Sequence, residues 1–164
     1  MAPFLLCILL LLSCNNNQQV SAPGAETVQA GHTDDKIVRI AEDARNTLPI
    51  FFRHLTGPGK GEHSFSVKYP FRADDNSGID MEHIWLTGIR FKNGQYYGIL
   101  AGAPRYLGGM KKGDTVAFSA DSITDWMYIR DDRIIGGYSI KYLLEKIPED
   151  QRSGEQKKLL LMFD

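Results

Sequence analysis

The dipeptide Asn93-Gly94 lies between two strand-like runs, MEHIWLTGIRFK (81–92) and QYYGILAGA (95–103). A two-residue loop between strands needs positive φ at both central positions, and Asn-Gly supplies it at the lowest steric cost. The chain is therefore expected to build an antiparallel sheet around this hairpin. The short loop also sets a register, with Lys92 opposite Gln95, Phe91 opposite Tyr96, Arg90 opposite Tyr97 and Ile89 opposite Gly98. Strand side chains alternate, so one face should carry His83, Trp85, Ile89, Phe91, Tyr96 and Leu100. The other should carry Glu82, Ile84, Leu86, Tyr97, Ile99 and Ala101. Both sets are largely apolar, which places the hairpin centrally with cover on two sides.

Upstream, Ile37, Ile40, Ala41, Ala44, Leu48, Phe51, Phe52 and Leu55 recur at helical spacing. They predict an amphipathic helix opened by Asp34-Asp35 and closed at Gly57-Pro58-Gly59. Pro49 removes a hydrogen bond to the carbonyl of Arg45, so a kink or break is expected near 45–48, where Thr47 could cap a second short helix. Phe65, Val67, Tyr69 and Phe71 alternate as a strand. Further strands are read at TVAFS (115–119), at DWMYI (125–129) and at RII (133–135), the last two joined by an Asp131-Asp132 turn. Ser139 is placed as the cap of a helix carrying Ile140, Leu143, Leu144 and Ile147. A polar segment follows from Pro148, and LLLMF (159–163) is expected to dock back on the core. The fold class is α+β: an antiparallel, strongly curved sheet of about five or six strands, with an N-terminal kinked helix and a C-terminal helix. One domain over 34–164 accounts for all of it.

The first residues read as an address. Phe4–Leu12 is nine apolar residues long. A membrane span takes about 20, whereas the apolar region of a secretory signal takes about 7–15. Leu11-Leu12-Ser13-Cys14 resembles the bacterial lipoprotein signal, which implies removal of residues 1–13 and lipid attachment at Cys14. The only other cysteine, Cys7, would leave with the signal, so no disulfide and no thiolate metal site is expected. Residues 14–33 (CNNNQQVSAPGAETVQAGHT) then serve as a lipidated, flexible polar tether. The expected location is the bacterial cell envelope, on the periplasmic or outer-membrane side.

Four groups of residues, in order along the chain, carry a family resemblance. They are Glu82-His83-Ile84-Trp85, Gly113-Asp114-Thr115-Val116, Asp125-Trp126-Met127-Tyr128 and Gly136-Gly137-Tyr138. With Ala44–Phe51 upstream, they resemble the signature of the YegJ-like family of bacteria, domain of unknown function 2314. The likeness covers about 37–144 and implies no assigned activity.

The chemistry-bearing residues are few. His83 shares a predicted face with Trp85, while Glu82 points the other way. His83 therefore reads as a packed, neutral imidazole, with Asp125 the first partner to check. His32, His54, His63 and His83 form no i, i+4 or H-x-H pair, so no metal site is expected. A serine-nucleophile elbow is absent, and Gly57–Gly61 lacks phosphate-loop spacing. With 19 basic and 20 acidic residues, the chain has no basic excess for nucleic acid. No cofactor is expected. Glu82, His83, Trp85, Asp125, Trp126, Tyr128, Gly137 and Tyr138 form the candidate binding or structural motif. Tyr96, Tyr97 and Tyr106 could join Trp126, Tyr128 and Tyr138 in an aromatic groove. The reading is a lipid-anchored, non-enzymatic binding or interaction module. Its partners are the membrane, through acyl chains, and an envelope protein, a peptide or a glycan. The alternative is an envelope hydrolase using His83 with Glu82 or Asp125.

Overall fold

The computed structural model describes residues 26–29 and 35–164, with side chains described from Asp35 onward. The signal segment and Cys14 lie outside the described residues. The elements run β1 (Glu26–Gln29), α1 (Asp35–Thr56), β2 (Glu62–Arg72), β3 (Ile79–Lys92), β4 (Gln95–Leu100), β5 (Thr115–Phe118), β6 (Asp125–Arg130), β7 (Arg133–Gly136), α2 (Tyr138–Lys146) and α3 (Gly154–Leu161). The architecture is α+β as expected. Six antiparallel strands are ordered β5-β4-β3-β2-β6-β7. β1 pairs with β3 beyond the reach of β4, within a stretch read from sequence as featureless tether. The sheet does not close on itself.

The Asn93-Gly94 turn is present, with φ of 51° and 79°, and β3 lies between β2 and β4. The register read from the turn holds for Lys92–Gln95, Phe91–Tyr96 and Arg90–Tyr97, and then shifts. Thr87 pairs with Ile99 and Leu86 with Leu100, so Gly88-Ile89 is a bulge of one extra residue. Gly88 takes φ of +57°, which a glycine adopts without penalty. The bulge corrects the predicted faces. Leu86, Phe91, Tyr96 and Leu100 share one face with Glu82 and Ile84, while His83, Trp85, Arg90, Tyr97 and Ile99 share the other.

The first of these faces receives α1. Ala44, Leu48 and Phe51 are buried against Val67, Ile84, Leu86, Trp126 and Tyr128. α1 runs through Pro49 as one element, so the expected break is not there. Thr47 caps nothing; its hydroxyl donates back to the Asp43 carbonyl at 2.8 Å. The opposite face is covered only in part. There Trp85 and Ile134 pack against Ile140, Leu144 and Phe163 of the C-terminal segment. LLLMF does dock back: Phe163 is buried and bridges Ile134 in parallel. Its approach is set by α3, which opens with a Ser153/Gln156 capping box not foreseen from the polar composition of the segment.

Candidate functional site

The half-covered face carries a buried polar centre. Lys68 of β2 sits directly opposite Asp125 of β6, and both are almost fully buried. Asp125 Oδ1 accepts from the backbone N–H of Trp126 (2.8 Å) and Tyr138 (3.2 Å). Its Oδ2 accepts from the Ser139 N–H (2.8 Å) and the Ser139 hydroxyl (2.7 Å). The Ser139 oxygen in turn accepts from Lys68 Nζ at 3.2 Å. Burial raises the Asp125 carboxyl above its ordinary range; the Ser139 donors, the Lys68 charge and the Trp126 N–H work against that rise. Helix α2 thus begins on a carboxylate supplied by a neighbouring strand. Ser139 is no cap, and Gly137, in the left-handed region at φ +68°, occupies the cap position.

His83 borders this centre. Its Nδ1 lies 3.1 Å from Thr124 Oγ1, and the Thr124 hydroxyl donates to the Lys68 carbonyl at 3.3 Å. The same Lys68 carbonyl accepts from the Thr124 backbone N–H at 2.9 Å, so Thr124 links His83 to β2. Burial, aided by the Lys68 charge, lowers the imidazole from 6.5 to about 4. It is neutral at pH 7, as the sequence reading held, but its partner is Thr124 rather than Asp125.

The remaining motif residues hold elements together. Glu82 accepts from the N–H groups of Arg105 (2.8 Å) and Tyr106 (2.9 Å), bracing the loop after β4 on the α1 side of the sheet. Trp126 Nε1 donates to the Ala44 carbonyl at 2.9 Å and to Thr47 Oγ1 at 3.2 Å. The Tyr138 hydroxyl meets the same Thr47 oxygen at 3.0 Å, and the Tyr138 ring stands edge-on to Trp126. Tyr128 stacks between Trp126 and Phe65. Trp126 and Tyr128 are core residues, and Tyr96 packs on Phe52 and Phe118, so these three rings fill the core and do not line a groove. Among the described residues, no hydrogen bond joins His83 to Glu82 or Asp125. No group of three or more metal-ligating side chains occurs among them either. Sequence reading assigns no role to Lys68 or Thr124, and points to Ser139 only as a helix cap. The available signal was Lys68 itself, a lysine in the strand run SFSVKYPF whose neighbours Val67 and Tyr69 are core-facing.

Beside the polar centre, the same face is open. A groove of about 870 Å³ has Ser66, Thr87, Ile99, Met127, Ile129 and Ile134 on its floor, and its lining also takes in Leu55 of α1 and Phe65. Ile140, Leu159 and Met162 form one wall, and His63, Lys112 and Asp132 lie at the margins. It has the size of a ligand site and an aliphatic lining. A family model described as an uncharacterized protein conserved in bacteria, DUF2314, matches residues 34–163. The chain belongs to this family. It is similar to an uncharacterized Escherichia coli protein, YegJ, at 32% identity over 62% of this chain and 63% of YegJ. It is also similar to a putative ankyrin repeat protein of Neisseria meningitidis, at 28% identity over 80% of this chain and 57% of that protein. The chain thus spans about 60% of the length of the curated relatives it matches. No solved structure matches it significantly. The DUF2314 unit begins at residue 34, after β1, and so includes the polar centre and the groove but excludes the segment that pairs with the first part of β3.

Proposed function

We propose that the chain is a lipid-anchored protein of the bacterial cell envelope whose DUF2314 domain binds an apolar segment of a polypeptide partner in the open groove. The groove carries this reading. Its floor draws on five strands, with Ile99, Met127, Ile129 and Ile134 beside Ser66 and Thr87, and α2 and α3 cover only one end of it. Apolar surface of this extent is stabilised by contact with another surface rather than with water. The polar centre is fully occupied with internal bonds and holds α2 in place as the groove wall. The sequence at Leu11–Cys14 supports the anchor. The ankyrin-repeat name of the Neisseria relative fits a setting of protein contacts, since such repeats present concave binding surfaces.

The test for the groove is selection of a displayed random peptide library on the purified protein. Peptides with several aliphatic residues should be enriched. Their binding should fall at least tenfold with Ile129→Lys while the melting temperature stays within a few degrees. Enrichment indifferent to Ile129→Lys, or no enrichment, overturns the reading. The anchor has its own test: Cys14→Ser should abolish fatty-acid labelling and release the protein from membranes, and equal labelling of the variant excludes Cys14.

A further inference from the structure

β3 is fourteen residues long, but β4 pairs only with its second half, Leu86–Lys92. After Leu100 the chain turns away, its last ladder bond running from the Ala101 N–H to the Trp85 carbonyl at 2.9 Å. β2 pairs with the other edge of β3 back to Met81. The first part of β3 is therefore paired on one edge by the domain and left with a row of N–H and C=O groups on the other. That row is a template for an added strand. In the structure it is filled by Glu26–Gln29, with Glu26 opposite His83, Thr27 opposite Glu82, Val28 opposite Met81 and Gln29 opposite Ile79. These four residues precede the DUF2314 unit, which starts at residue 34.

We infer that the edge of β3 at Ile79–His83 is a strand-binding site, and that its occupant is the chain's own Glu26–Gln29, held in cis. The ligand it takes is an extended polypeptide running antiparallel to β3, recognised through its main chain. Only five residues separate Gln29 from α1, so the segment is presented at an effective concentration of order millimolar. At that concentration weak main-chain pairing suffices to keep the edge closed. A strand from another molecule must compete against it, so the edge is guarded against unspecific sheet extension. The site is separate from the groove and stands or falls independently of it.

The experiment uses the full chain carrying Thr27→Pro and Val28→Pro together, since proline cannot donate to a ladder and resists pairing within it. Hydrogen exchange is read at the amides of Asp80–His83 that point toward β1. These should exchange at least tenfold faster in the variant, with the amides of Arg90–Lys92 unchanged. Adding a synthetic peptide of residues 25–31 at millimolar concentration should restore their protection in the variant. Equal exchange in the two proteins shows that β1 does not occupy the edge and overturns the inference. Faster exchange that the peptide fails to reverse shows that the edge does not bind a strand, and overturns it equally. Peptide binding that disappears when the peptide itself carries the two prolines identifies the main chain as what is recognised.

Discussion

Asp125 illustrates how one carboxylate can organise several elements. It accepts four hydrogen bonds and faces Lys68 with almost no exposure to water. Removing it leaves three N–H groups and the Ser139 hydroxyl without their acceptor inside the fold, and takes the opposing charge away from Lys68. Asp125→Ala should therefore destabilise the protein by about 3–5 kcal/mol, the range for breaking a buried charged network. Urea unfolding monitored by tryptophan fluorescence measures this; a loss under about 1 kcal/mol would show that the network contributes little. His83 makes a prediction in pH. Its folded-state value of about 4 lies below the unfolded 6.5. Between these values the unfolded chain binds more protons, so stability rises with pH across that window. The contribution is complete above about pH 6.5 and is lost as pH falls toward 4. It amounts to about 1–3 kcal/mol, because His83 retains some contact with solvent. In His83→Gln this part of the slope should vanish, as read from urea midpoints at pH 4, 5, 6 and 7.

Turns and bulges show what each element demands of its glycines. Gly94 and Gly136 both sit at φ +79°. A Cβ on Gly94 meets nothing within 4 Å, whereas one on Gly136 would lie 2.3 Å from the Trp126 carbonyl oxygen and 2.7 Å from its ring. Gly94→Ala should cost about 1 kcal/mol, from backbone strain alone. Gly136→Ala should cost at least about 2 kcal/mol more, since the β6–β7 pair must separate or Trp126 must shift. Thermal melts of the two variants side by side check the difference. The elements themselves were legible in the sequence: helical spacing marked α1, alternation marked β2, and Asn-Gly marked the β3–β4 hairpin. The faces were not, because alternation was extended through Gly88, and a bulge changes the parity of every residue beyond it without altering composition. Nor was the start of α2, since the carboxylate that holds it comes from β6 and no local pattern shows that.

At the scale of the molecule, the family signature turns out to describe a junction more than a ligand site. Trp126, Tyr138 and Gly137, with Thr47, tie α1, β6 and α2 together through a few shared atoms. The open groove is lined instead by Ile99, Ile129 and Met162, ordinary aliphatic residues that carry no motif. That is why the groove was not readable from sequence: it is what the helices leave uncovered. The bulge at Gly88-Ile89 carries a consequence of its own. Upstream of it, β3 sends even-numbered residues toward α1; downstream, it sends odd-numbered ones. The inserted residue is thus absorbed locally, and the pairing with β4 holds the two ends of the hairpin in phase. Gly98 supplies the space, since a Cβ there would stand 2.9 Å from Leu86 Cβ and 3.1 Å from Ile89 Cδ1. Deleting Ile89 would set Gly88 opposite Gly98 in a regular ladder, with Arg90 still opposite Tyr97 and Phe91 still opposite Tyr96, so both faces should survive and only the local bend should be lost. In a circular-dichroism melt the deletion should therefore give a folded protein that melts lower than the parent, while Ile89→Val should cost about 0.5–1.5 kcal/mol. Ile89 is slack in the strand: the ladder with β4 decides which side each residue faces, and the extra residue only bends the chain between them.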